Sequence, residues 1–320
     1  MRVVFMGTPE FGATILGALL GSPHDIAGVV TRPDRPRGRG RRVEASPVAV
    51  LAASHSLPLI QPRSRGDELF LSQMKAWAPE ATVVAAFGLI LPQEILAVAP
   101  KGNINVHASL LPKYRGAAPV QDAIIKGESI TGVTTMMMDE GLDTGDVLLS
   151  RETPIGAATT AGELEEQLAC IGADLLLETL DALESGAVRP EPQDSAAATY
   201  SRALRPDDGD ILWNQTAFET HNRIRGCTPR PGARLYFGGQ PVRIWKATVD
   251  DCAQAQCAGL TPGTVLEYSK SGLRVVCESQ TVLLVCEVQP AGRQRMPAAD
   301  WARGARIQGR ESRFDTARAG

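Results

Sequence analysis

Cysteine is scarce in this chain and carries no pattern. The six cysteines are Cys170, Cys227, Cys252, Cys257, Cys277 and Cys286; they form no C-x-x-C and have no histidine pair nearby. Neither a zinc site nor a disulfide framework is signalled, and no metal is expected. Long apolar runs are missing too: none approaches the roughly 20 residues of a membrane helix. Met1-Arg2 leads directly into Val3-Val4-Phe5-Met6, which reads as a first strand and not as a signal or transit segment. The expectation is a cytoplasmic protein with no membrane partner. The turn after that strand, Gly7-Thr8-Pro9-Glu10-Phe11-Gly12, lacks G-x-G-x-x-G and has no Lys-Ser/Thr after its second glycine. The dinucleotide fingerprint and the P-loop are both excluded. Thr8 and the backbone at Gly7 still stand where open α/β sheets bind ligands, at a strand's C-terminal end.

What is present is ordinary in bulk and uneven in detail. At 320 residues two domains are expected, and 43% hydrophobic with 22% charged residues suits a soluble globular chain. The net charge of −3 conceals an asymmetry: residues 1 to 206 hold 18 Lys+Arg against 24 Asp+Glu, and residues 207 to 320 hold 15 against 12. Either the second half meets a polyanion or its solvated charges are distributed without consequence.

The first half alternates strands and helices. The first strand is followed by Ile15, Leu16, Leu19 and Leu20 at helical spacing, opening an α/β unit. Ala27 to Val30 reads as a second strand. The stretch Thr31 to Arg42 then carries six arginines among two prolines and two glycines, which reads as neither helix nor strand. Such a loop either forks guanidinium groups onto phosphates or is solvated charged surface; its length inside a compact α/β unit favours function. Thr82 to Phe87 is a buried parallel-type strand running into the apolar turn Gly88 to Pro92, which either accepts a flat hydrophobic ligand or packs on the next helix.

Asn105-Val106-His107-Ala108-Ser109-Leu110-Leu111-Pro112 is the stretch around which the rest is organised. As an extended strand it points Asn105, His107 and Ser109 to one face and Val106 to the other. Asn and His are poor choices for a core strand, which marks a site, although a satisfied core histidine is the competing reading. Farther on, Asp139, Glu140, Asp143 and Asp146 crowd into eight residues after the strand Thr131 to Met138. The loop lacks the EF-hand pattern, so one carboxylate reaching His107 to fix its tautomer is preferred over calcium. A parallel sheet would bring those strand ends together. Thr160 and Glu163 have capping-box spacing before a helix that ends at Gly186.

Residues 190–206 read as a linker. Beyond it come a helix over 217 to 225 and five short strands with glycine-marked turns, which suggest a small OB-like barrel. The expected fold is therefore a Rossmann-like, mainly parallel α/β domain over 1–189 followed by an OB-like β-barrel over 207–320.

In Gly7 to Phe11, Arg32 to Pro36 with Gly38-Arg39-Gly40, Phe87 to Pro92, Asn105 to Pro119, Gly141 to Asp146 and Gly239 to Ala247, in this order, the chain resembles the 10-formyltetrahydrofolate formyltransferase family. Within it the chain is most similar to the methionyl-tRNA formyltransferases. The resemblance implies formyl transfer from 10-formyltetrahydrofolate to the α-amine of initiator methionyl-tRNA, with Asn105, His107 and Asp143 as the catalytic set. It implies folate contacts at Phe87, Gly88, Leu89, Ile90, Leu91 and Pro92, at Ser109, Leu110, Leu111 and Pro112, and at Asp139 and Gly141. It places Arg35, Arg37, Arg39, Arg41 and Arg42 on the tRNA acceptor stem and gives the barrel a tRNA-binding role. A monomer is expected. One departure is Arg230 between Pro229 and Pro231, where the family commonly has tryptophan.

Overall fold

The computed structural model describes residues 1–37, 42–250 and 257–315. Contacts divide the chain into two units: residues 1–119, 130–154 and 165–202 in the first, and 120–129, 155–164 and 203–320 in the second. The expected boundaries at 189 and 206 are thus displaced. Residues 190–202, read as linker, pack with the first unit, while two segments from the first half pack with the second.

The first unit begins with β1 (Arg2–Gly7), α1 (Glu10–Leu20) and β2 (Asp25–Val30). β3 (Arg35–Arg37) and β4 (Arg42–Glu44) pair antiparallel, Arg35 with Glu44. The arginine segment is therefore a short hairpin at its two ends, where no strand was expected; alternate residues there satisfy each other's backbone groups despite the like charges. Next come α2 (Pro47–Ser54), capped by Ser46, β5 (Leu59–Ile60), α3 (Glu68–Trp77) and β6 (Ala81–Ala85). α4 (Gln93–Leu96), β7 (Asn103–His107), the two-residue β8 (Arg115–Gly116) and α5 (Pro119–Ile125) follow. β9 (Ile130–Met137), β10 (Val147–Pro154), α6 (Ala161–Ser185) and β11 (Tyr200–Ser201) complete this part of the chain.

Seven strands form one sheet in the order β10-β9-β7-β6-β1-β2-β5. The five from β5 to β7 are parallel, while β9 runs antiparallel to β7 and pairs with β10. β1, β6 and β7 are buried on nearly every residue, as strands covered on both faces must be. On the first unit, Val4, Met6, Phe70, Met74, Trp77, Phe87, Leu91 and Ile95 form a continuous apolar cluster. Gly172 lets α6 approach the sheet, since a Cβ there would lie 2.9 Å from Val106.

The second unit adds α7 (Ala217–Gly226), β12 (Ala233–Phe237), β13 (Gln240–Asp250), β14 (Val265–Ser269), β15 (Gly272–Val276), β16 (Val282–Pro290), β17 (Met296–Pro297) and α8 (Ala298–Gly304). The antiparallel sheet has the order β12-β13-β16-β15-β14, with β17 also on β16. The chain's last described segment bridges the two edges: Arg313 pairs with Thr264 beside β14 and Asp315 with Tyr236 on β12. Between them Phe314, 1% exposed, stacks on Trp213 and Trp301 at centroid distances of 5.5 and 6.1 Å. Edge pairing and an aromatic plug together close the barrel-like sheet around its core.

Candidate active site

Asn105 and His107 occupy alternate positions on β7, so both side chains leave one face of the strand. They are 9% and 6% exposed, polar groups set at the buried end of a sheet. Asn105 Nδ2 donates to Asp143 Oδ1 at 3.3 Å, and His107 Nδ1 lies 3.7 Å from Asp143 Oδ2. On the other side of the ring, His107 Nε2 is 3.0 Å from the Tyr114 carbonyl oxygen. A carbonyl only accepts, so Nε2 carries a proton and Nδ1 is left to face the carboxylate. The three residues expected as a set are brought together.

The route by which they meet differs from expectation. Because β9 is antiparallel to β7, its end at Met137 stands opposite Ile104, at the start of β7. The loop after it folds back along β7, with Met138 N–H on the Asn103 carbonyl at 2.8 Å, and so carries Asp143 up to His107. Asp143 adopts φ +54°, a left-handed conformation that a non-glycine residue holds only when its surroundings over-determine it. Gly116 N–H donates to Asp143 Oδ2 at 2.8 Å. Gly145 leaves no room for a side chain, because a Cβ would fall 1.9 Å from the Met137 carbonyl oxygen.

Two further residues hold that loop, and sequence reasoning missed both roles. Gln193 Nε2 donates to the carbonyls of Asp143 and Gly145 at 2.9 and 2.7 Å. Its Oε1 accepts from Arg115 Nε and Nη2 at 3.0 and 2.8 Å, and Arg115 Nη1 reaches the Tyr200 hydroxyl at 3.4 Å. Arg115 is 2% exposed. The segment carrying Gln193 is itself stitched to the turn after β7: β11 pairs with β8, and Tyr114 N–H donates to Thr199 Oγ1 at 2.8 Å. The signal available in the sequence was Arg115 following Tyr114 directly after the site strand; nothing near Gln193 pointed to it.

The other expected residues divide. Ser109 does not share the face of Asn105 and His107: β7 ends at His107, and the fully buried Ser109 hydroxyl donates to the Lys113 carbonyl at 2.6 Å. It shapes the turn, with the Leu111 N–H accepted by Thr134 and a cis bond between Leu111 and Pro112. Phe87 and Leu91 belong to the apolar core, being 2% and 3% exposed. Gly88, at φ +72°, and Ile90, 65% exposed, are the parts of that turn open to a ligand; Leu89 and Pro92 are half-buried. Leu110 is half-buried as well. Asp139 spends its carboxylate on its own turn, accepting from Gly141 N–H at 3.0 Å and Thr144 Oγ1 at 2.7 Å. Leu142, between Gly141 and Asp143, is 52% exposed. Two exposed apolar side chains, Ile90 and Leu142, on loops next to a polar trio suit a flat, largely apolar ligand. Arg35 is exposed on its hairpin strand, and Arg37 and Arg42 lie on the paired backbone; Arg39 and Arg41 fall outside the described residues.

This arrangement suits acyl transfer without a protein nucleophile. Asn105 and His107 both reach the Asp143 carboxylate, and the Ser109 hydroxyl in the stretch is committed elsewhere. The formyl transferase family profile matches residues 1–180 and the formyl transferase C-terminal domain profile residues 203–306. A methionyl-tRNA formyltransferase of Solibacter usitatus is 47% identical over 96% of this chain and 96% of its own, and one of Desulfotalea psychrophila is 45% identical over 96% and 94%. The chain belongs to the methionyl-tRNA formyltransferase family. Among solved structures, an N-formyltransferase of Helicobacter canadensis with folinic acid and dTDP-3-aminofucose has TM-score 0.66 at 18% identity, covering 91% of this chain and 99% of that one. HypX of Aquifex aeolicus with tetrahydrofolic acid has TM-score 0.65 at 17% identity, covering 97% and 48%. At such identities these two share the fold.

Proposed function

We infer that the chain transfers a formyl group from 10-formyltetrahydrofolate to the α-amine of methionyl initiator tRNA. The observation that carries the chemistry is the Asn105, His107 and Asp143 geometry in a chain 42–47% identical to relatives of that activity. The amine forms a bond to the formyl carbon, the bond from that carbon to N10 of the folate breaks, and one amine proton ends on N10. Asn105 keeps a second N–H for the oxygen that becomes negative in between, a donor that contributes about 3 kcal/mol in comparable sites, while the His107 ring, with Nε2 on the Tyr114 carbonyl and Nδ1 turned to Asp143, supplies positive charge beside that oxygen when protonated. Asp143 holds both, and its carboxylate is within reach of a water that moves the proton. The pterin rests against Ile90 and Leu142, with Gly88, Leu89 and Pro92 along its edge.

The arginine segment binds the acceptor stem through Arg35, Arg37, Arg39, Arg41 and Arg42, and the second unit has a tRNA-binding role of its own. Guanidinium groups clustered along a short segment suit phosphates in a helical array. No helix among the described residues is long and apolar enough to cross a membrane. The tRNA and folate substrates are the reason we place the enzyme in the cytoplasm, and we take it to act as a monomer. The deciding experiment is single-turnover formyl transfer to methionyl initiator tRNA, with an amino-sugar nucleotide and water as competing acceptors. Rapid formylation of the tRNA alone is expected; transfer to the sugar or to water alone would overturn the acceptor.

A further inference from the structure

We propose that a second pocket of the first unit, at the point where the sheet's strand order reverses, binds the terminal nucleotide of the acceptor strand, with Arg32 taking its phosphate. The proposal rests on the reading of a tRNA acceptor. From β1 the chain moves outward to β2 and β5, then returns to β6 on the other side of β1. The connections leaving β1 and β6 diverge to opposite faces, and a crevice opens between them. A cavity of about 300 Å³ lies there, walled by Thr8 after β1, Arg32, Asp34 and Arg35 after β2, Glu44 on the arginine hairpin, and Phe87 and Gly88 after β6, so that it adjoins the edge proposed for the folate. That volume is at the lower end for a small-molecule site. It includes none of the catalytic trio.

Arg32 is the anomaly in this pocket. Its backbone is pinned: the N–H donates to Thr8 Oγ1 at 3.3 Å and the carbonyl accepts from Gln61 Nε2 at 3.2 Å. Its guanidinium Nη1 is buried and has no hydrogen-bond partner among the described residues. A buried charged donor left unpaired is costly, and the acids on the same walls do not relieve it. Asp34 instead accepts from Gln61 Nε2 at 2.7 Å. The guanidinium is held ready for an anion that arrives from outside.

The same acids define the anion. Asp34 and Glu44 would repel a polyphosphate, but a carboxylate accepts readily from a ribose hydroxyl. One phosphate joined to a ribose matches one unpaired guanidinium nitrogen beside two carboxylates. Position agrees as well. Arg32 follows β2, three strands from β7, about 14 Å at the usual spacing. That interval is spanned by a charged hydrogen bond from Arg32 to a phosphate oxygen followed by the extended path from phosphate, through ribose and ester, to the α-amine of an attached amino acid. A terminal phosphate at Arg32 would leave the amine at His107.

The test is equilibrium binding of adenosine 5′-monophosphate, adenosine and inorganic phosphate to the full chain, as wild type, Arg32→Ala and Arg32→Lys. The wild type should prefer the monophosphate over adenosine about tenfold, the scale of one charged hydrogen bond. Arg32→Ala should abolish the preference while 10-formyltetrahydrofolate binding stays unchanged. Arg32→Lys, which keeps the charge but not the fork, should reduce the preference severalfold and serves if Arg32→Ala does not fold. Equal affinities in the wild type, a preference surviving either substitution intact, or inorganic phosphate binding as tightly as the nucleotide would each overturn the assignment. Formylation of methionyl-tRNA by the wild type is assayed alongside. Its failure would sink the acceptor reading, whereas normal formylation without a monophosphate preference would remove the pocket alone.

Discussion

Gln193→Ala isolates the support of the catalytic loop from the chemistry it presents. Gln193 contributes two donors, to the Asp143 and Gly145 carbonyls, and one acceptor that takes two bonds from the buried Arg115. Its side chain is half-buried, so water can replace part of what is lost. Counting one net bond to a charged group and partial losses at the carbonyls, the substitution should cost about 2–3 kcal/mol of stability. The larger effect should be kinetic. Asp143 sits at φ +54° and relaxes once its carbonyl is released. A shift of roughly 1 Å at a reacting group lowers turnover about a hundredfold. Single-turnover formyl transfer at saturating tRNA and folate should show that fall in rate, with both dissociation constants within a fewfold of wild type. Gln193→Glu separates the two contributions, since its carboxylate still accepts from Arg115 but cannot donate to the loop carbonyls. It should recover the stability and not the rate. Full turnover in Gln193→Ala would refute the reasoning.

The remaining expectations concern single groups. Asn105→Ala should lower turnover by roughly two to three orders of magnitude while tRNA affinity is retained, the scale of an oxyanion donor; a filter-binding assay beside the kinetics checks it. His221 on α7 is held below its ordinary value, first by burial and then by the charge of Arg225. Its neutral form is the native one, so its contribution to stability is present above about pH 6.5 and is lost as pH falls below that value. Thermal unfolding between pH 7.5 and 5 should show a decline that His221→Gln lessens. Thr216 caps α7, accepting from Glu219 N–H at 3.3 Å while Glu219 returns the contact at 2.8 Å, so Thr216→Ala should cost about 1 kcal/mol in urea unfolding. Burial pushes the Cys277 thiol up to about 12 and the Cys227 thiol up to about 11, while Cys170 is exposed. A thiol reagent on the native chain should therefore label Cys170 and leave Cys227 and Cys277 untouched until unfolding.

Amino-acid order by itself determined what depends on neighbours a few residues away. The apolar run before Gly7, the helical spacing of Ile15, Leu16 and Leu19, and the Thr160 and Thr216 boxes each specify an element through contacts inside one turn or one strand. The candidate site was marked for the same reason, since Asn105 and His107 break the rules of the strand they stand on. Contacts between distant segments were decided only by the tertiary structure. Nothing local says that β9 runs antiparallel to β7, so the Asp143 loop had to be seen folding back to be understood. Gln193 lies 50 residues from Asp143 and 78 from Arg115, in a stretch whose polar, proline-marked composition is that of a linker. Its hydrogen bonds become available only when both partners have been placed by the sheet. Phe314 closes the second unit in the same way, a lone aromatic whose value lies in the two tryptophans it meets across the fold. Local sequence sets backbone preference within a window, whereas such pairings need the closure of long loops, and which loops close is set by the packing of the whole core.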